Sequence, residues 1–84
     1  MRFENTSGNH SKFYEIEVQP GPDDTFRVFT TWGPMQKRFG LLNKTMDNPQ
    51  VKHKVIYEGK IDGCMKAVEK KRKDRLRHGY TLVD

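Results

Sequence analysis

The sequence predicts a small α+β domain in which an antiparallel sheet of three to five strands packs against one C-terminal α-helix. Two observations predict this fold class. Apolar and polar residues alternate along two early segments, and the spacing of the apolar residues becomes helical after residue 60. A chain of 84 residues leaves room for one hydrophobic core, so we expect a single domain over residues 1–84.

The first two predicted strands form a hairpin. In residues 12–18 three apolar residues alternate with two glutamates, as on a half-buried strand: Tyr14, Ile16 and Val18. Residues 26–32 are rich in β-forming residues, of which four share one face: Phe26, Val28, Thr30 and Trp32. The proline- and glycine-containing stretch 20–24 separates the two strands and is long enough to return the chain antiparallel.

Shorter patterns predict the remaining extended segments. The opening dozen residues end in a turn-forming stretch, residues 5–11, with little to bury. Residues 39–42 allow a short third strand, which a polar loop over residues 43–49 follows. Residues 51–57 alternate again and predict a strand with four residues on one side: Val51, His53, Val55 and Tyr57. Residues 80–83 form a short extended tail, which we interpret as an edge strand.

Residues 60–78 carry the predicted helix. Its apolar stripe consists of Ile61, Cys64, Met65 and Val68. Asp62 suits the positive end of the helix dipole, and Gly79 stands where a C-terminal cap belongs. The stripe extrapolates to Arg72, Arg75 and Leu76, so the helix ends basic even on its inward side. Arg72 either lies over the sheet edge and reaches water, or points with Arg75 into a groove for a phosphate or carboxylate.

Positive charge is concentrated in the second part of the chain. Residues 1–35 hold three basic and five acidic residues, a net charge of −2, whereas residues 36–84 hold thirteen and six, a net charge of +7. Such segregation is expected of a protein that meets a polyanion, although a lysine-rich solvated surface has the same composition. Four cations share the outer face of the predicted helix, which suits either a phosphate backbone or solvent: Lys66, Lys70, Lys73 and Arg77.

Several classes of protein are excluded by composition and spacing. No run approaches the roughly 18–20 apolar residues of a membrane span, and the first residues lack the apolar stretch of a secretory signal. The histidines and Cys64 lack the short spacings of zinc sites, and no glycine-rich loop precedes a helix. We therefore expect no enzyme, no catalytic residue, no metal or other cofactor, no membrane and no small-molecule substrate. The expected location is the cytoplasm, including a bacterial nucleoid, or the nucleus of a eukaryote.

The single tryptophan marks the candidate site. Trp32 closes the second strand and precedes Gly33, so it is either a core anchor or a partly exposed platform for a base or sugar. Cations follow closely in the sequence: Lys37, Arg38 and Lys44. An aromatic platform flanked by cations is typical of nucleic-acid sites.

Three segments resemble the WGR domain, the Trp-Gly-Arg module of DNA-dependent poly(ADP-ribose) polymerases and of many bacterial proteins. Residues 12–18 look like its first core strand, and residues 26–33 look like the strand that enters its signature. Cys64, Val68 and the ending Arg-Leu-Arg-His-Gly-Tyr of residues 75–80 resemble its closing helix. The resemblance implies a small sheet against one helix. It also implies contact with broken DNA ends, at which the tryptophan, here Trp32, packs on the terminal sugar.

This chain departs from the family signature at one position. Pro34 stands in place of the signature arginine and brings neither a charge nor a backbone donor, and Lys37 or Arg38 is the candidate substitute. The leading hypothesis is a non-enzymatic module that binds nucleic acid, DNA rather than RNA, at ends or structured duplexes. Trp32 would stack, and the cations Lys37, Arg38, Lys44, Arg72 and Arg75 would contact phosphate. The alternative is a protein-interaction module that docks an acidic partner or an edge strand.

Overall fold

The computed structural model describes residues 1–8, 11–35 and 51–84. Their elements follow the chain in the order β1 (Arg2–Asn5), β2 (Lys12–Pro20), β3 (Phe26–Pro34), β4 (Lys52–Gly59), α1 (Ile61–Arg77) and β5 (Thr81–Leu82). The five strands form one antiparallel sheet in the order β4-β3-β2-β1-β5. The predicted α+β fold class, a small antiparallel sheet against one C-terminal helix, is therefore confirmed. The strand predicted at residues 39–42 and the loop at 43–49 lie outside the described residues.

The β2–β3 hairpin is the centre of the sheet. The predicted antiparallel hairpin is confirmed, and its register runs from Lys12 opposite Pro34 to Pro20 opposite Phe26, so each strand extends two residues beyond its predicted end. Within the connecting loop the amide of Gly21 donates to the carbonyl of Thr25 at 2.9 Å. Asp23 and Asp24 turn the chain with φ angles of 52° and 60°, a left-handed conformation that aspartate adopts more readily than most residues.

The hydrophobic core lies between one face of the sheet and α1. Its buried members are Phe3, Tyr14, Ile16, Val28, Cys64, Val68 and Tyr80, and Phe26, Trp32, Ile56 and Ala67 pack against them half-buried. Thr30 is also fully buried, and its hydroxyl donates to the carbonyl of Lys54 at 3.0 Å. Because that hydrogen bond satisfies the buried hydroxyl, Thr30 fits the inward face together with the apolar residues of β3.

The expectation that residues 5–11 bury little is wrong for Asn5, which is only 4% exposed, whereas Thr6, Ser7, Gly8 and Ser11 are exposed as expected. Phe3, which precedes that stretch on β1, is fully buried. The Asn5 side chain accepts hydrogen bonds from the amide and hydroxyl of Ser7 at 3.2 and 2.9 Å, and its amide donates to the carbonyl of His78 at 3.5 Å. A strand of four residues is too short to show a period of two in the sequence. Asn5, its second inward residue, is a turn-forming type, and it can be buried because its polar atoms are hydrogen-bonded.

The inward face of α1 differs from the predicted stripe. Cys64 and Val68 are buried as expected, but Ile61, Met65 and Leu76 are 42–53% exposed. The helix is rotated towards its small residues, because Gly63 and Ala67 are both half-buried. The hydroxyl of Tyr57 occupies the space where a side chain at Gly63 would begin, so a larger residue there would displace the Tyr57 side chain from the helix. A stripe drawn through large apolar residues gives no weight to these two positions.

The predicted strand at residues 51–57 is confirmed as β4, but its predicted common face is wrong for one residue. A bulge shifts the register with β3, so that Val55 lies opposite Phe29 and Tyr57 lies opposite Val28. Since Val28 and Phe29 are consecutive, their partners face opposite sides of the sheet. Tyr57 therefore lies on the helix side and Val55 on the other side, because the bulge adds a residue to β4.

The end of α1 confirms the predicted glycine cap. Gly79 has a φ of 90°, its amide donates to the carbonyl of Leu76 at 3.3 Å, and the amide of Tyr80 donates to the carbonyl of Arg75 at 3.1 Å. These two bonds form a Schellman motif, for which glycine suits the left-handed position. The cap turns the chain so that Tyr80 enters the core and β5 pairs with β1 as the predicted edge strand.

Candidate nucleic-acid interface

Three aromatic side chains form a row where the second half of α1 crosses the sheet. Trp32 and Tyr14 lie opposite each other on β3 and β2, and their rings stack with centroids 5.8 Å apart and planes 18° apart. Tyr80 contacts Tyr14 edge to face with centroids 6.3 Å apart. Tyr14 and Tyr80 are buried, whereas Trp32 is half-buried. Trp32 is therefore the member of the row with the most access to solvent.

Cations surround this row. The guanidinium carbon of Arg75 lies 4.8 Å from the Tyr14 ring centroid and 5.2 Å from that of Tyr80. The ammonium of Lys71 lies 5.9 Å from the Tyr14 ring, and that of Lys12 lies 5.8 Å from the Tyr80 ring. These distances suit cation–π attraction. We call the set formed by Trp32, Tyr14, Tyr80, Arg75, Lys71 and Lys12 the aromatic–cation cluster.

Two further features of the register bring charge to Trp32. Lys52, at the start of β4, is the cross-strand partner of Trp32. Lys12 is the cross-strand partner of Pro34, two residues beyond Trp32 on β3. Because directly opposed residues share one face of a sheet, Lys12 and Lys52 lie on the same face as Trp32. Lys12 therefore lies beside Pro34, the position at which the family signature has an arginine.

Asp74 is the acidic residue bonded to this cluster. The Arg75 guanidinium donates a hydrogen bond to its carboxylate at 2.8 Å, and the His78 ring nitrogen Nδ1 lies 3.4 Å from it. The hydrogen bond from Arg75 holds the pKa of Asp74 below its usual value, and the charges of Arg75, His78 and Lys71 act in the same direction. Nε of Arg75 is buried and has no hydrogen-bond partner among the described residues. The guanidinium is thus fixed by the two rings and by Asp74.

The lowered pKa of Asp74 predicts an acid-dependent contribution to stability. A carboxyl group whose pKa is lower in the folded state stabilises the fold above its unfolded pKa of about 3.9, and the stabilisation is lost as the pH falls through the folded pKa. We expect the difference in unfolding free energy between wild type and Asp74→Asn to shrink between pH 5 and about pH 2. Urea denaturation of both proteins at several pH values measures it, and a difference independent of pH would contradict the prediction.

Arg72 and Arg75 lie one turn apart but have different partners. Arg72 donates hydrogen bonds from Nε and Nη2 to the carboxylate of Glu69 on the same helix, the first at 3.0 Å. This pairing raises the pKa of Arg72 and lowers the pKa of Glu69. The structure therefore does not bring the two arginines together. Arg75 joins the cluster, and Arg72 forms an ion pair on the helix, so its contact with phosphate stays a prediction.

The other candidate cations cannot be placed in the same way. Lys37, Arg38 and Lys44 lie outside the described residues, and their roles stay predictions. The site residues predicted from the sequence do not include Lys12, Lys52, Lys71, Tyr14 or Tyr80. The predicted strand bounds would not have found them, because strands over residues 12–18 and 26–32 aligned end to end place Tyr14 opposite Thr30. The observed register instead places Tyr14 opposite Trp32 and Lys12 opposite Pro34.

Comparison with known families decides the relationship. The family model described as the WGR domain matches residues 1–84, the whole chain. The chain belongs to the WGR domain family. The WGR domain is a binding module that is not catalytic by itself, and it is associated with nucleic-acid binding in poly(ADP-ribose) polymerases. Comparison with curated proteins and with solved structures gives no match.

Two absences hold for the part of this WGR domain that the structure describes. Among residues 1–8, 11–35 and 51–84, no three histidine, cysteine, aspartate or glutamate side chains are grouped so that they could hold a metal ion. Within the same residues no helix has both the length and the apolar character needed to span a membrane.

Proposed function

We propose that this WGR domain is a non-enzymatic module that binds DNA at duplex ends or structured duplexes through the aromatic–cation cluster. The observation that carries the proposal is the half-buried indole of Trp32. It is supported on one side by Tyr14 and lies on the same sheet face as Lys12 and Lys52. Membership of a family associated with nucleic-acid binding supports the same function.

Trp32 would supply the contact that depends on an exposed end. Stacking of a base on an aromatic side chain contributes about 1–3 kcal/mol and tolerates any base, because every base has a π face. Tyr14 stacks against Trp32 and is itself buried, so it holds the indole in one orientation. A rigid platform loses little side-chain entropy on binding. The terminal sugar or base has a free face for the indole, whereas the interior bases of a duplex are already stacked on their neighbours.

Phosphate contacts would supply most of the affinity. Lys12, Lys52 and Lys71 lie around the aromatic row, and we place the predicted cations Lys37, Arg38, Lys44, Arg72 and Arg75 in the same role. Lys12 is the structural candidate to replace the signature arginine, because it lies directly opposite Pro34. Contacts to phosphate carry no sequence information, so we expect binding to depend little on the DNA sequence.

A salt titration tests this function. Trp32 is the single tryptophan, so its fluorescence reports the site directly. A blunt duplex of about 20 base pairs should change the emission of Trp32, and the affinity should fall steeply with salt, because each phosphate contact contributes a slope of about −0.9 in log K against log salt. The control is the same duplex closed by hairpin loops at both ends.

The two duplexes separate the possible outcomes. Tighter binding of the open duplex supports recognition of ends, and equal binding supports recognition of the duplex alone. Absence of binding to both duplexes at low salt would contradict the proposed function.

The exposed edge strand β4 favours a second candidate, a protein-interaction module. β4 is an outer strand of the described sheet, and its Val55 and Tyr57 are 39% and 37% exposed. Such an edge can pair with a strand of another chain. A pull-down with and without nuclease separates the two functions, since a partner that nuclease treatment leaves bound favours protein interaction.

A further inference from the structure

A groove lies between α1 and β4, next to the aromatic–cation cluster. Its volume is about 640 Å³, which is in the range of sites that hold a small ligand. Ile56 of β4 and Ala67 of α1 supply its apolar lining. Among the described residues its charged lining consists of Lys70, Lys71, Lys73, Asp74 and Arg77. An apolar wall beside a row of cations suits a ligand with an apolar flat part and an anionic part.

The cations of the groove are available to an anion. Lys70, Lys71 and Arg77 form no ion pair with another described residue, and Lys73 has one distant contact of 4.0 Å with Glu69. Asp74, the acidic residue of this lining, is already bonded to Arg75. With a rise of 1.5 Å per residue, Lys70 to Arg77 covers about 10 Å of helix, so these cations can contact more than one phosphate of a strand.

Two residues connect the groove to the aromatic–cation cluster. Lys71 lines the groove, and its ammonium also lies 5.9 Å from the ring of Tyr14, on which Trp32 stacks. Asp74 lines the groove and bonds Arg75, which lies over Tyr14 and Tyr80. If a duplex ends at Trp32, one of its strands can therefore extend into the groove past Lys71 without leaving the basic surface.

We propose that the groove between α1 and β4 binds a short single-stranded extension of a duplex whose end docks at Trp32. The inference rests on the proposed function and deepens it by naming the form of DNA. The phosphates of the extension contact Lys70, Lys73 and Arg77, and an unpaired base packs against Ile56 and Ala67. A blunt end offers no unpaired base to Ile56 and Ala67, because its bases stay paired and stacked inside the duplex.

Binding of paired duplexes tests the inference. Fluorescence anisotropy would compare a labelled blunt duplex of about 20 base pairs with the same duplex carrying a four-nucleotide extension at one end, first at the 3′ and then at the 5′ terminus. We expect one of the extensions to raise the affinity of the wild-type protein roughly fivefold, since one stacked base and the added phosphate contacts contribute to binding. In Lys70→Glu, the ratio of the affinity for the extended duplex to that for the blunt duplex should fall close to one, while the protein still binds the blunt duplex.

Lys60→Glu is the matched control. Lys60 is an exposed lysine directly before α1 and is not part of the groove lining, and its replacement makes the same change in total charge without placing a carboxylate one turn from Lys70. It should keep the fivefold gain. Equal affinity of the wild type for blunt and extended duplexes, or loss of the gain in both variants, would overturn the groove proposal and leave the proposed function standing. Failure of the wild type to bind any of the duplexes would overturn both.

Discussion

Replacing Phe3 with alanine is expected to lower the free energy of unfolding by about 3–5 kcal/mol, the usual cost of removing a buried phenylalanine. Phe3 is fully buried in the core and lies on β1 between β2 and β5. A small domain has a total stability of only about 5–15 kcal/mol, so the variant should be partly unfolded near 37 °C. Urea denaturation followed by circular dichroism measures the change.

Met65→Ala is the control for this prediction. Met65 is 53% exposed on α1, although the sequence places it on the apolar stripe. Truncation of an exposed helix residue to alanine should change the stability by no more than about 0.5 kcal/mol. If Met65→Ala destabilises the protein as much as Phe3→Ala, the rotation of α1 towards Gly63 and Ala67 is wrong.

The contrast between Phe3 and Met65 shows which parts of the fold the sequence predicts. The β2–β3 hairpin and α1 are long enough for a period to emerge, so their positions and the fold class follow from the pattern. β1 has four residues, and only its pairing with β2 and β5 makes it a strand. Burial at short elements depends on contacts between distant segments, which no local period records.

The predictions of the inward face of α1 and of the common face of β4 fail for a related reason. Gly63 and Ala67 lie on the inward side because Tyr57 crosses the helix at Gly63, and Tyr57 reaches that side only through the β4 bulge. Neither the bulge nor the crossing leaves a mark in the alternation of residues 51–57. A hydrophobic pattern therefore predicts that a helix packs on the sheet, but the size of the residues in contact decides which face it presents.

The candidate site was predicted in part. Trp32 lies on the predicted face, half-buried, so the two alternatives of core anchor and exposed platform meet in one residue: it packs against the core and keeps part of its surface accessible. Its supporting residues come from three other segments. Tyr14 lies on β2, Tyr80 follows the helix cap, and Lys71 lies on α1. Their convergence depends on the tertiary fold and could not be read from spacing along the chain.

Replacing Trp32 with alanine is expected to weaken binding to a blunt duplex roughly 5- to 150-fold, which corresponds to the loss of about 1–3 kcal/mol of stacking. The remaining affinity should keep the salt dependence of the wild type, because the substitution leaves the cations in place. Anisotropy of a labelled duplex measures the affinity, since the variant has no tryptophan to report binding. Far-ultraviolet circular dichroism verifies that the variant is folded.

Two further substitutions at Trp32 separate stacking from packing. Trp32 also packs against the core and stacks on Tyr14, so its removal could weaken binding by disturbing the cluster. Phenylalanine keeps a π face, whereas leucine keeps apolar bulk without one. If Trp32 stacks on the DNA, Trp32→Phe should restore most of the affinity and Trp32→Leu should bind as weakly as Trp32→Ala. Equal restoration by both would mean that Trp32 acts by packing, and binding of Trp32→Ala within twofold of the wild type would remove it from the interface.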